Sequence, residues 1–313
     1  MFDVASTRRP GSGRPVFEGP TWLVLAGCYT LWIAALLALP AYGVIVVVPL
    51  AVAIALHSSL QHEVLHGHPT RNATLNEALV YLPVGLFIPY RRFRDLHLRH
   101  HNDSRLTDPY DDPESFYMAG CDADEACSIT RTLLSINATF AGRMLIGPAM
   151  ANYAFWRSDF DATRAGDRRV QGAWLHYALG ISVLGTVLVV LGIDLLLYAT
   201  AAYVAMSLIM VRSFIEHRAA EEQAERTAVV EANWFWRLLF LNNNYHLLHH
   251  DHPSLPWYRL PEKWQVEADR VTERNGGYVL PSYGHVARRW LFRRREPYVH
   301  PLKAGQDQAS IQR

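Results

Sequence analysis

Four stretches of this chain, Thr21 to Leu39, Gly43 to Leu56, Tyr177 to Ile193 and Leu195 to Val211, contain no Lys, Arg, Asp or Glu. In lipid a backbone must satisfy its own hydrogen bonds, which restricts such stretches to helix. Each falls short of the ~20 residues a bilayer needs, but each can continue helically past an apolar end. The rest of the chain is richly charged, so the average of 19% charged residues conceals a sharp segregation. The expected fold class is all-α: an integral membrane protein with four transmembrane helices in two hairpins and a cytoplasmic helical cap.

The net charge of +1, a small difference between 30 basic and 29 acidic residues, says nothing about partners, and no nucleic-acid partner is expected. The placement of charge says more. No Lys or Arg lies between Pro15 and Glu63 or between Val170 and Arg212, so both hairpin tips lack positive charge. By the positive-inside tendency, both termini and the long middle segment are expected to be cytoplasmic. Arg8 and Arg9 precede a long apolar run without a small-residue cleavage site, the pattern of a signal anchor. Cys28, Cys121 and Cys127 have neither zinc-ribbon nor iron-sulfur spacing and read as isolated thiols in a reducing compartment. No electron-transfer centre is visible.

The whole chain, 1–313, reads as one domain. Residues 1–20 form a cytoplasmic arm, 21–66 the first hairpin, 67–172 a cytoplasmic or interfacial segment, 173–217 the second hairpin and 218–313 a second cytoplasmic segment. Helix two is expected to kink at Pro49 and to run on through His62 and His66. Ala78 to Tyr90 is too short to span and is expected to lie in the interface or re-enter it. Residues 130–160 read as amphipathic helix on the membrane, and helix four is expected to continue from Leu195 through Glu216 and His217. A frayed tail is expected after Lys303.

Three histidine clusters fall outside the apolar runs: His62 and His66; His97, His100 and His101; and His246, His249 and His250. The spacings i, i+4 and i, i+3, i+4 place the imidazoles of a helical segment on one face. Ten of the 15 histidines lie in or beside these boxes, which one surface pair would not explain. Imidazole suits zinc, copper, iron and nickel. Eight box histidines plus His217 exceed what one four-coordinate zinc requires, and two metals sharing nine nitrogens is the simplest reading. A histidine-rich metal transporter would place ionisable residues inside the spans, where this sequence has none.

HEVLH, HLRHH and HLLHH resemble the three histidine boxes of the membrane fatty acid desaturase and hydroxylase superfamily, which includes carotenoid hydroxylases and ketolases. The resemblance covers nearly the whole chain. It implies a non-haem di-iron enzyme that uses dioxygen, with two iron ions held by His62, His66, His97, His100, His101, His217, His246, His249 and His250. His217 matches an extra ligand after the fourth span. Carboxylates should orient the rings and offset the metal charge, with Glu63, Asp95, Asp108, Glu216 and Asp251 as candidates. His68 and His252 fit supporting or solvent-facing roles, and His57 a polar lining role.

The implied reaction removes hydrogen from unactivated C-H bonds of a hydrophobic acyl lipid or fatty acid. The continuation of box two, HHNDSRLTDPYDDPES, looks more like acyl desaturases than ring hydroxylases and favours desaturation; hydroxylation or ketolation of a carotenoid or other lipid is the alternative. A separate electron donor, of ferredoxin, rubredoxin or cytochrome type, is expected to dock on the cytoplasmic face. Arg91, Arg92 and Arg94 with Arg293, Arg294 and Arg295 are candidates to receive an acidic partner.

Overall fold

Helix α1 (Gly19–Tyr42) begins with proline in its first turn, where the missing N–H costs no intrahelical bond, and ends at Gly43, whose φ of 56° suits a residue without Cβ. One turn of tighter helix leads into α2 (Val47–Leu65), which folds back along α1. The thiol of Cys28 donates to the Ala53 carbonyl at 3.4 Å, and Tyr29 Oη lies 3.1 Å from His57 Nε2. Pro49 falls in the first turn of α2 rather than in a mid-helix kink as expected. The computed structural model describes residues 17–102 and 105–302, so Arg8, Arg9 and the tail after Lys303 lie outside the described residues.

Among the described residues, three stretches are long and apolar enough to cross a membrane: Gly19–Leu65, which contains α1, the turn and α2; α8 (Arg168–Val190); and α9 (Leu195–Glu216). At ~1.5 Å per residue, helices of this length reach roughly 33 Å, enough for a hydrocarbon core of ~30 Å. Their outward faces expose Leu23, Ile33, Leu37, Leu179 and Val183, positions that would favour polar residues in water. Asp194 caps α9, accepting from the N–H groups of Leu196 and Leu197. Although a tight turn joins α8 to α9, they do not pair as α1 and α2 do: α9 packs mainly on α2 and α7, and α8 on α4 (Tyr90–Asn102) and α7 (Phe140–Arg164).

The apolar segment expected to lie in the interface or re-enter it is a loop held among the helices. After α3 (Ala73–Leu79), residues 80–89 carry no helix, as Pro83 and Pro89 require, and Val80 and Val84 are buried. Side chains satisfy its carbonyls: Tyr29 donates to Leu79 at 2.7 Å, Gln61 to Val80 at 3.3 Å, Tyr198 to Val84 at 2.9 Å and Trp156 to Phe87 at 2.9 Å. These donors come from four helices. On its other side the loop meets α8, where a Cβ on Gly180 would sit 2.9 Å from Pro83.

The remaining helices frame the histidine boxes. Arg92 on α4 forms two hydrogen bonds to Asp159 on α7, at 2.8 and 2.7 Å, and Trp174 on α8 donates to the same carboxylate at 2.8 Å, fixing the box-two helix. Helices α5 (Gly120–Glu125) and α6 (Ser128–Asn137) precede α7, in line with the amphipathic helix expected over 130–160. Beyond α9 come α10 (Trp234–Leu239), α11 (His246–Asp251), α12 (Leu260–Arg274) and α13 (Tyr283–Trp290). Among the described residues the fold is mostly helical, with one short parallel pair of strands, β1 (Val229–Val230) and β2 (Val279–Leu280), that an all-α reading omits. A small core of Val229, Leu247, Leu248, Leu260 and Val271 seats α11 against α12.

Candidate metal centre

The end of α2 supplies His62 and His66, the last turns of α4 supply His97, His100 and His101, and α11 supplies His246, His249 and His250. His217 is the first residue past α9; its backbone is extended, with φ −125° and ψ 144°, so the helix stops one residue short of the expectation. All nine side chains gather into two groups. His62, His66, His97, His101 and His249 form one, and His100, His217, His246 and His250 the other, with the donor atoms of each group within 4.8 Å of one another. The two groups touch where His101 and His250 stack with ring centroids 4.2 Å apart.

The boxes do not each face one group. The i, i+4 pairs 62/66, 97/101 and 246/250 stay together, whereas the i+3 members His100 and His249 cross to the opposite group. A step of three residues turns a helix by about 300° and a step of four by about 400°, so these rings splay to either side of the helix face.

Nitrogens point at nitrogens. His217 Nε2 lies 3.1 Å from His100 Nε2 and 3.0 Å from His246 Nε2; His250 Nε2 lies 3.2 Å from His246 Nε2, and His249 Nε2 3.1 Å from His101 Nε2. Two ligands about 2.1 Å from one ion and at right angles to each other are about 3.0 Å apart. The partners of the other ring nitrogens fix the tautomers. His100 Nδ1 donates to Asp112 Oδ1 at 2.7 Å, His97 Nδ1 to Glu114 Oε1 at 2.7 Å and His246 Nδ1 to Asn243 Oδ1 at 2.9 Å. In the neutral ring each Nε2 then presents a lone pair. Buried His97 Nε2 has no hydrogen-bond partner among the described residues. Two nitrogens at such distances need a proton or a cation between them, and the donor atoms of either group lie close enough together to hold a metal ion.

Burial and the surrounding rings keep most of these imidazoles neutral. Burial, then His100, lowers His217 to about 3. Burial, then His97, lowers His101 to about 2. Burial and neighbouring histidines hold His246, His249 and His250 well below the ordinary value. His100 differs: burial alone would lower it, but Glu114 and the hydrogen-bonded Asp112 bring it up to about 9. The same carboxylates strengthen its donation to a cation.

Of the five carboxylates expected to orient the rings, Glu216 lies 3.4 Å from His246 Nδ1, while also pairing with Arg212 at 2.8 Å. Asp95 is engaged by Arg94, Asp251 by Arg274, and Asp108 caps the N–H of Tyr110. Glu63 accepts from the Trp257 N–H at 2.8 Å. The carboxylates that reach box-two rings are Asp112 and Glu114, in the acidic, proline-punctuated turn after the box. Asn243 was also missed: besides holding His246, its Nδ2 lies 3.3 Å from His62 Nε2, joining the two groups. The run Asn242-Asn243-Asn244 before box three was its sequence signal. His68 is buried against Glu18 at 2.7 Å, and neither it nor His252 or His57 joins a group.

Four of the six arginines expected to receive a donor are engaged within the chain. Arg91 and Arg94 pair with Glu77, Arg92 with Asp159 and Arg295 with Glu296. Arg293 and Arg294 are exposed.

No curated protein matches the sequence. A family model described as fatty acid desaturase matches residues 20–282, most of the chain, including all nine histidines. Membrane-crossing stretches, paired histidine groups and this match agree, and the chain belongs to the fatty acid desaturase family.

Proposed function

We propose that this protein is a membrane di-iron oxidoreductase that uses dioxygen to desaturate the acyl chain of a lipid or fatty acid. The observation that carries the reading is the convergence of nine imidazoles into two touching groups. In this reading five histidines hold one iron and four hold the other. When bound, the irons supply reductive activation of dioxygen and removal of hydrogen from an unactivated C-H bond.

The chain's own contribution is position and charge. Asp112, Glu114 and Asn243 fix three rings with their lone pairs inward. A cleft between α2, α9 and the 80–89 loop is walled by Ile54, Ala55, Phe87, Ile88, Ala202 and Met206. Gln61, next to His62 in sequence, also lines it, and we assign the acyl chain to this cleft. The four crossings α1, α2, α8 and α9, with both termini and the metal centre on the cytoplasmic side, follow from the distribution of basic residues. A separate donor delivers electrons, and exposed Arg293 and Arg294 suit an acidic one.

The test pairs metal analysis of purified protein with mass spectrometry of lipids from expressing cells, comparing the parent with His249→Ala. The expected result is two irons per chain and acyl chains lacking two hydrogens, both lost in the variant. Products gaining an oxygen would assign the hydroxylase alternative. Iron-free active protein, or unchanged product from His249→Ala, would overturn the reading.

A further inference from the structure

Away from the histidines, a small pocket lies between α6, the start of α7, the end of α9 and residues 295–298. It holds a cation without a counter-ion. Arg143 is only 6% exposed, and among the described residues no carboxylate pairs with it. Its Nε donates to the Asn137 carbonyl at 3.1 Å and its guanidinium lies 3.7 Å above the Phe116 ring. Its buried Nη1 has no hydrogen-bond partner among the described residues.

Two other charges line the same pocket and are already met. Arg295 pairs with Glu296 at 2.7 Å and donates to Tyr278 Oη and to the His217 carbonyl, each at 2.7 Å. The Glu296 carboxylate also accepts from Tyr117 Oη. The unbalanced charge is therefore that of Arg143. An uncompensated buried cation is strongly unfavourable unless a ligand supplies the missing anion. A planar guanidinium with a free N–H edge suits a carboxylate or phosphate.

The surroundings add a tail to that anion. Phe116, Phe214 and Leu134 give the pocket apolar walls. Beside it, α6 exposes Ile129, Leu133 and Ile136, spaced i, i+4, i+7 along one face. We propose that this pocket binds the oxyanion end, carboxylate or phosphate, of an amphiphile, with Arg143 as its counter-charge. Phe214 lies three residues before His217, and Arg295 links the pocket to the His217 carbonyl. The bound anion thus sits one layer of side chains from the histidine groups.

The proposal does not depend on which reaction the metal centre performs. It is tested by calorimetric titration of the full-length, iron-loaded protein in neutral maltoside detergent with dodecanoate, dodecyl phosphate, uncharged dodecanol and inorganic phosphate. One or both anionic amphiphiles should bind at least about tenfold more tightly than dodecanol and inorganic phosphate, as a charge-assisted contact combined with a buried tail requires. The tighter of the two identifies the source of the oxyanion. Arg143→Gln should abolish that preference. Ala138→Leu, which fills the pocket and leaves the charge in place, should also abolish it, with iron content in both variants equal to the parent's. Equal binding of charged and uncharged amphiphiles, or variants that bind as the parent does, would overturn the proposal. Inorganic phosphate binding as tightly as dodecyl phosphate would overturn the amphiphile assignment.

Discussion

Asp112→Asn isolates what one buried carboxylate contributes to the ring it holds. Asp112 Oδ1 accepts from His100 Nδ1 at 2.7 Å and from the Glu114 N–H at 2.9 Å, and Oδ2 accepts from the Thr107 N–H at 2.8 Å. An amide has one oxygen and one NH2 for these sites. With its oxygen on His100, the NH2 meets the buried Thr107 N–H, donor against donor, at a cost of about 1–3 kcal/mol. Flipped, the NH2 faces His100 Nδ1 and drives the proton to Nε2, where the lone pair had faced His217. Losing such a partner lowers metal affinity by about 10–100-fold, equivalent to about 1.4–2.8 kcal/mol. Because His100 belongs only to the four-histidine group, the five-histidine group should keep its ion. The assay is chelator competition on purified protein, followed as iron per chain. The variant should lose one iron at roughly 10–100-fold lower free chelator than the parent requires and then plateau. Release of both ions together, or a parental profile, would refute the argument that Asp112 acts through His100.

Three further outcomes are expected. In iron-free protein, His217 at about 3 and His101 at about 2 lie below the ordinary imidazole value, so the unfolded chain binds more protons as the pH falls. Stability should therefore fall below about pH 6.5, by roughly 2 kcal/mol for each of these two groups at about pH 5. His100, raised to about 9, works in the opposite sense: its contribution is present in acid and lost as the pH rises through that value. Thermal melts in detergent would count against the first effect if the midpoint held constant or rose on acidification. Arg92→Ala leaves Asp159 buried without its guanidinium and should cost about 3–5 kcal/mol, read as a lower melting midpoint; an unchanged midpoint would show that the α4 clamp is unimportant. Arg293→Glu combined with Arg294→Glu should raise the apparent KM for an acidic electron donor severalfold and leave kcat at saturating donor unchanged, and unaltered donor kinetics would remove these residues from the docking surface.

The histidine boxes were legible because their information is local: rings three and four residues apart on a helix must lie near one another. Their division between two groups was not, since the departure of His100 and His249 depends on how α4 and α11 are rotated against the other elements. The carboxylates followed the same logic. Asp95 and Asp251 sit next to the boxes in sequence but pair with arginines, whereas Asp112 and Glu114 reach the rings because the chain turns back after α4. The apolar segment from Ala78 to Tyr90 was legible as too short to span. What its backbone would bond to was invisible, because its donors lie on α1, α2, α7 and α9. The Arg92 to Asp159 pair, 67 residues apart in sequence, likewise turned an apparent docking cluster into an internal brace.

The crossing of His100 and His249 has a mechanical consequence. A single turn of α4 and a single turn of α11 each carry rings for both halves of the centre, so a small rotation of either helix displaces donors on both sides at once. The halves share one chassis. In the two-iron reading, a rotation of α4 or α11 that loosens the grip on one ion must reach the other, whereas a change confined to the partner of a single ring need not.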